Sequence, residues 1–94
     1  MQKSLRTSRQ QRLLSLLVEA RKAKGMTQAE IAAALGRPQS FVAKYENDER
    51  RIDVIEFIDI AAALGVSAAE ILKEIESTAE APKRTGGRKS QPLR

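Results

Sequence analysis

The chain has 94 residues, contains neither cysteine nor histidine, and carries a formal net charge of +5. This length allows one small domain of packed helices and is too short for a deep catalytic cleft. Without cysteine or histidine, the chain cannot form disulfides and lacks thiolate nucleophiles, the usual zinc ligands and the commonest general base. We therefore expect neither an enzyme nor a bound metal or cofactor. No apolar run approaches the ~20 residues of a membrane span, which predicts a cytoplasmic protein.

Positive charge is concentrated at the two ends of the chain. Residues 1–24 carry seven basic side chains and one acidic, and residues 77–94 carry five basic and one acidic. Residues 25–76 have the opposite balance, with five basic side chains against ten acidic. Basic ends are compatible with a polyanionic partner, although net charge alone identifies none.

Two helices are predicted in the first part of the chain. Apolar side chains within residues 13–18 follow the i, i+3, i+4 spacing of one helix face, and Gly25 ends the pattern. The segment TQAE at residues 27–30 has the form of a capping box, in which Thr27 and Glu30 satisfy each other's backbone N–H groups. The predicted bounds are about residues 7–10 to 24 for the first helix and 28–35 for the second, which Gly36 ends.

Three further helices are predicted from their cap residues. Pro38 lies at or next to the first turn of a third helix, where its missing N–H costs nothing. Asp53 is a natural cap for a fourth helix, whose apolar positions keep helical spacing until Gly65. The segment SAAE at residues 67–70 has the form of a second capping box and opens a fifth helix through Ile75. Because nothing alternates with a period of two, we expect an all-α fold without a sheet.

The chain divides into a central domain and two basic ends. We expect a flexible N-terminus over residues 1–8, a helical domain over residues 9–76 and a disordered tail over residues 77–94. The tail has two prolines, two glycines and one leucine, too little apolar surface to offset the entropy of ordering it. It could follow DNA phosphates, bind a protein partner, or serve only solubility.

The second and third helices are separated by so short a connection that they must cross steeply. A small residue is needed where they meet, and Ala32 supplies it. Val42 and Tyr45 then pack on Ile31 and Leu35, which leaves the opposite face of the third helix, about residues 38–47, in solvent. This is the geometry of a helix-turn-helix, and its predicted core is Ile31, Ala32, Leu35, Gly36, Val42 and Tyr45.

The same segment resembles a known family. In TQAEIAAALGRPQSFVAKYEN, the residues Gln28, Ala32, Gly36 and Val42 follow one another at intervals of four, four and six, and IAAALGVSAAEIL lies beyond. With these markers, residues 13–75 resemble the Cro/C1-type helix-turn-helix family, also called the Xre family, of phage repressors and small bacterial regulators. The resemblance implies a compact lambda-repressor-like bundle of five helices that binds operator DNA, usually as a dimer on a two-fold site.

The resemblance also implies which side chains read bases. The first exposed turn of the third helix would enter the major groove of double-stranded DNA, with Gln39, Ser40 and Lys44 nearest the base edges. Glutamine can pair with adenine N6 and N7, lysine with guanine O6 and N7, and Ala43 would touch a thymine methyl. Phe41 is ambiguous, since it could equally shield the side of the fourth helix.

A second set of residues is expected to contact phosphates. By resemblance, these are Gln28 at the start of the second helix, Arg21 on the first helix, and Asn47, Arg50 and Arg51 after the third helix. The alternative for Arg50 and Arg51 is a solvated loop that offsets Asp48 and Glu49. These acids are a departure for a loop that faces DNA, so either they point away from it or affinity is modest.

Two further contacts are predicted within and between chains. In relatives an arginine on the first helix pairs with the glutamate that ends the third, which here predicts an Arg21–Glu46 ion pair. The fourth helix is apolar on more than one face, so part of it, with Ile71, Leu72 and Ile75, could form a homodimer contact or be buried within the monomer.

The leading interpretation is a small transcriptional regulator, a repressor that binds a two-fold operator. The alternative is the antitoxin of a toxin–antitoxin pair, or another protein-interaction module, whose tail or fourth helix neutralises a partner while DNA binding is autoregulatory. A neighbouring gene that is lethal when expressed alone would favour the alternative.

Overall fold

The computed structural model describes residues 7–79, which form five helices. Within this range no strand is found, so the predicted all-α fold is confirmed. None of the helices between Thr7 and Ala79 is long and apolar enough to span a bilayer. The helices are α1 (Ser8–Ala23), α2 (Gln28–Leu35), α3 (Gln39–Glu46), α4 (Val54–Leu64) and α5 (Ala68–Ser77).

Side-chain caps set the starts of four helices. Thr7 Oγ1 accepts from the Gln10 N–H at 3.0 Å, and Thr27 and Glu30 form the complete capping box expected at α2. Asp53 and Glu56 form a second complete box at α4, where the sequence analysis predicted only a cap. At α5 the prediction of a box is wrong, because Ser67 accepts from Glu70 N–H without the reciprocal bond. The Ser67 ψ angle of 120°, against 167° and 172° at the two complete boxes, turns its N–H elsewhere.

The core lies where α1, α2, α3 and α4 meet. Its largest fully buried side chains come from all four helices: Leu17, Ile31, Val42, Tyr45 and Ile60. Burying an aliphatic side chain of this kind contributes roughly 1.5–3 kcal/mol. Ile71 of α5 joins the same cluster, so one contiguous core fixes the position of α3.

Helix α5 packs against α1 and is joined to it by charged contacts. Arg12 pairs with Glu74 at 2.7 Å, and the Arg9 side chain donates to the carbonyl oxygens of Glu76 and Thr78. Helix α5 includes Ser77, which we expected to belong to the tail. Its hydroxyl donates to the Glu74 carbonyl and extends the last turn. The remainder of the predicted tail and most of the predicted flexible N-terminus lie outside the described residues.

Candidate nucleic-acid interface

The connection between α2 and α3 is as short as predicted, with three residues between Leu35 and Gln39. Gly36 ends α2 with a φ of 69°, a left-handed conformation that glycine adopts without steric cost, and its N–H donates to Ala32 and Ala33. Pro38 then caps α3 from an extended conformation. At the crossing Ala32 is 2% exposed, and the neighbouring core residues Ile31, Val42 and Tyr45 are buried while Leu35 is half-buried.

The outer face of α3 carries the residues predicted to read bases. Gln39, Ser40 and Lys44 are exposed, and Ala43 between them is half-buried. Phe41 is only 6% exposed, beside Leu35 and the α4 residue Ile60. Phe41 therefore faces α4, as one of the two interpretations of this residue held. Gln39, Ser40 and Lys44 lie on the solvent-exposed side of the helix.

A buried ion pair holds α3 to α1. Arg21 Nε donates to Glu46 Oε2 at 2.8 Å and its Nη2 donates to Oε1 at 3.1 Å, which confirms the predicted contact. The third nitrogen, Nη1, donates to the Met26 carbonyl at 2.9 Å. The hydrogen bond to Glu46 raises the pKa of Arg21 above its ordinary value. With its side chain 13% exposed, Arg21 is placed to orient α3 rather than to reach outward.

A hydrogen-bonded chain leads from Glu46 to the first residue of α3. A carboxylate only accepts, so the amide nitrogen of Gln28 faces Glu46 and donates to it at 2.8 Å. The Gln28 Oε1 atom is thereby directed at Gln39, whose Nε2 donates to it at 3.3 Å. This contact uses one hydrogen of Gln39 Nε2, so the Oε1 acceptor and the second Nε2 hydrogen have no hydrogen-bond partner within residues 7–79. That pair is the one needed for the N6 and N7 atoms of adenine.

On the opposite side of α3, Glu56 binds two arginines. Arg50 makes a bidentate pair with it, Nη1 to Oε1 and Nη2 to Oε2, each at 2.8 Å. Arg37 Nη2 donates to Oε2 at 3.1 Å, and the Asp53 N–H donates to Oε1. The hydrogen bonds from Arg50, and then that from Asp53, lower the pKa of Glu56 to about 2. The bond to Glu56 also raises the pKa of Arg50.

The same two arginines contact the Phe41 ring of α3. The guanidinium carbon of Arg37 lies 4.3 Å from the Phe41 ring centroid, and that of Arg50 lies 4.8 Å from it. Phe41 in turn meets Tyr45 edge to face, with ring centroids 5.5 Å apart. Arg50, predicted to contact phosphate, is thus bound to Glu56 and Phe41 in the structure.

The loop after α3 presents Asn47 and Arg51 in solvent, near the exposed face of the helix. Asp48 adopts a φ of 62°, in the left-handed region that aspartate tolerates better than most residues. Its carboxylate accepts from the buried Gln10 side chain at 3.0 Å, so it is directed at α1. Asp48 therefore points away from the exposed face of α3, which is one of the two explanations given above for the acidic residues of this loop.

Two groups at this site were not predicted from the sequence. Nothing in the sequence around Gln10 indicates its contact with Asp48, because it is one polar residue among several at the start of α1. Glu56 could have been found by the form DVIE at residues 53–56, which repeats the pattern of a capping box, although nothing local indicates its pairing with Arg37 and Arg50.

The chain is similar to known proteins in sequence and in structure. A helix-turn-helix family model matches residues 17–71. The uncharacterized HTH-type transcriptional regulator y4dJ of Sinorhizobium fredii is 36% identical over 58 residues, which cover 62% of this chain and 75% of y4dJ. An XRE-family like protein from Pseudomonas syringae has 56% identity and a TM-score of 0.72, with 74% of this chain and 85% of that chain covered. The clp gene regulator ClgR from C. glutamicum has 25% identity and a TM-score of 0.65, with 72% and 88% covered.

Proposed function

Because the chain belongs to the Cro/C1-type (XRE) helix-turn-helix family of DNA-binding transcriptional regulators, we propose that it reads a specific operator through α3. The observation that carries this proposal is the outer face of α3. There Gln39, Ser40 and Lys44 are exposed on a helix whose other face packs on the core. Its position is further fixed by the hydrogen bond from Gln28 to Glu46 and by that from Arg37 to Glu56. A rigid helix with a free polar face is what readout in the major groove requires.

The geometry of Gln39 supports a particular base contact. Its amide is held through Gln28 by Glu46, and Oε1 and one N–H are left for a base. We assign Gln39 to an adenine and Lys44 to a guanine, because these pairings match their donors and acceptors. Ser40 and Ala43 complete the reading face, with Ala43 against a thymine methyl.

Phosphate contacts would fix the register of α3 in the groove. Gln28 has a second amide hydrogen and stands at the N-terminus of α2, where the helix dipole favours an anion. Asn47 and Arg51 flank the other end of α3. We assign Arg21 and Arg50 to orienting α3 instead, because their guanidinium groups are held by Glu46 and Glu56.

We further propose that the protein binds as a homodimer to a two-fold operator in the cytoplasm and represses by excluding polymerase. The dimer surface is an aliphatic patch formed by side chains that the monomer leaves between 48% and 70% exposed: Val54, Ile55, Ile58 and Leu72. Contiguous exposed aliphatic residues of this kind mark association sites. Ile71 and Ile75, which the sequence offered for the same contact, are buried and half-buried.

A second candidate function, the antitoxin or other protein-interaction module, is supported by the groove beside the aliphatic patch. This groove has a volume of about 260 Å³. Leu13, Ile52, Val54, Phe57 and Leu72 are among its lining residues. An amphipathic helix of a partner would fit such a groove. Toxicity of a neighbouring gene product, relieved by co-expression of this chain, would establish this function.

The proposed function is tested by selecting from a random library of duplex DNA at moderate salt and sequencing what the purified chain retains. We expect a two-fold symmetric motif, because each α3 of a dimer reads one half-site. A Gln39→Ala, Lys44→Ala double variant is the matched control, since both positions are exposed and its fold should be intact. Retention of unselected sequences only, with binding that vanishes as salt rises, would contradict sequence-specific readout.

A further inference from the structure

We propose that Glu56 withholds Arg37 and Arg50 from the phosphates of DNA and thereby lowers the sequence-independent part of the affinity. This role rests on the DNA binding proposed for α3. Glu56 itself lies on α4, behind the reading face, and its side chain is 11% exposed. It would act on the affinity without contacting DNA itself.

Arg37 and Arg50 are cations for which Glu56 and the phosphates of DNA would compete. Arg37 immediately precedes the cap of α3, and Arg50 follows the helix by four residues, so the two flank the reading face along the chain. Their side chains are 42% and 39% exposed, which leaves both within reach of solvent ions. The proposal requires that the backbone of a duplex bound along α3 passes within reach of these guanidinium groups.

Glu56 holds both guanidinium groups against this attraction. It accepts two hydrogen bonds from Arg50 and one from Arg37 through its two oxygens, and the Asp53 N–H fixes one of those oxygens. The Phe41 ring lies under both groups and favours the same positions. A bidentate arginine–carboxylate pair has the geometry that a bidentate arginine–phosphate contact would need, so one replaces the other.

Specific and non-specific binding to DNA depend on charge to different degrees. Non-specific binding is driven almost wholly by phosphate neutralisation, whereas specific binding adds base contacts that charge does not supply. Keeping two arginines off the backbone therefore weakens binding to every sequence, while the base contacts of Gln39 and Lys44 still favour the operator. Glu56 therefore keeps the sequence-independent part of the affinity low, and with it the salt dependence of binding.

The test uses Glu56→Gln in the full chain, with binding to a duplex of arbitrary sequence measured from 50 to 300 mM salt. Glutamine can keep the capping box at α4, so the helix start is preserved while the charge is removed. We expect non-specific affinity at the lowest salt to rise about five- to tenfold. The slope of log K against log salt should steepen by about one to two, as one or two more phosphates are neutralised.

Glu70→Gln is the matched control, because Glu70 occupies the same third position of α5 and makes no ion pair within residues 7–79. It changes net charge equally, so its slope should equal that of the wild type. A Glu56→Gln slope no steeper than that of Glu70→Gln would overturn the proposal.

A second variant gives an answer even where Glu56→Gln folds poorly. In Arg37→Gln, Arg50→Gln the carboxylate stays and both arginines are lost. If Glu56 withholds them in the wild type, the non-specific salt slope should change by less than about 0.5. A decrease of about one to two would show that they contact phosphate already and would overturn the proposal. Neither result requires an operator, so failure of sequence-specific readout would be recognised separately, by the absence of a motif.

Discussion

At the scale of single residues, Tyr45 connects the two sides of α3. It is 1% exposed, its neighbour Glu46 pairs with Arg21, and its ring meets Phe41 on the side where Glu56 lies. Burial raises the pKa of Tyr45 to about 12, because the phenolate would lose its hydration. The phenol ring therefore belongs to the support of the reading helix and must stay neutral for the domain to remain folded.

This shift predicts a loss of stability in alkali. The folded pKa lies above the unfolded value of about 10, so the stabilisation is complete below pH 10 and is lost as pH rises to about 12. We expect the thermal midpoint of the wild type to fall over that interval more steeply than that of Tyr45→Phe, which cannot ionise. Thermal unfolding followed by circular dichroism between pH 9 and 12 measures both. Parallel curves for the two proteins would contradict the assignment.

At the scale of helices, α3 is fixed by one ion pair to α1 and by the Glu56 contacts to α4. The Arg21–Glu46 pair is the more buried of these, with side chains 13% and 7% exposed. Removal of one partner leaves the other charge partly buried with only a neutral hydrogen-bond partner, and we expect either Arg21→Ala or Glu46→Ala to cost about 2–3 kcal/mol of unfolding free energy. A double-mutant cycle should give a coupling of about 1–3 kcal/mol.

The Arg12–Glu74 pair between α1 and α5 is the natural control for this cycle. Its side chains are 40% and 53% exposed, so solvent screens the interaction and its coupling should stay below about 1 kcal/mol. Denaturant unfolding of the two sets of variants supplies all the free energies. Equal couplings for the exposed and the buried pair would refute a special role for Arg21 in holding α3.

Helix bounds were predictable from the sequence because caps are local. Thr27 with Glu30, and Asp53, mark starts that the structure confirms, and Gly36 and Gly65 mark ends. The half-formed box at Ser67 was not predictable, since it depends on a backbone angle that the chain adopts on packing. The Glu56 contacts were equally inaccessible, because Arg37 lies 19 residues from Glu56 and only the folded chain brings them together. The Arg21–Glu46 pair was predicted through resemblance alone.

At the scale of the whole molecule, the reading face and the aliphatic patch are carried by different elements. The proposed base contacts lie on α3, whereas the patch consists of Val54, Ile55 and Ile58 on α4 with Leu72 on α5. One chain can therefore pair with a second copy while its α3 stays exposed. Two copies related by a two-fold axis would present two reading helices to successive turns of the major groove.

This arrangement predicts that Ile55→Glu separates the dimer without unfolding the monomer. Ile55 is 67% exposed, so a carboxylate is tolerated in the monomer and is costly only when an interface covers it. We expect sedimentation at micromolar concentration to change from dimer to monomer, and operator affinity to fall at least tenfold. Gln11→Glu, an exposed position on α1 with the same charge change, should leave both unchanged. A wild-type chain that sediments as a monomer would exclude this surface.

Base readout by Gln39 and Lys44 would be measured by combining changes of these side chains with changes of single base pairs in the operator. Binding of wild type, Gln39→Ala and Lys44→Ala would be measured on the selected duplex and on duplexes changed at single positions. We predict that each variant loses about 1–3 kcal/mol on the selected site and becomes indifferent to the base at one position in each half-site. Equal losses on every duplex, with discrimination at all positions intact, would contradict direct readout by these side chains.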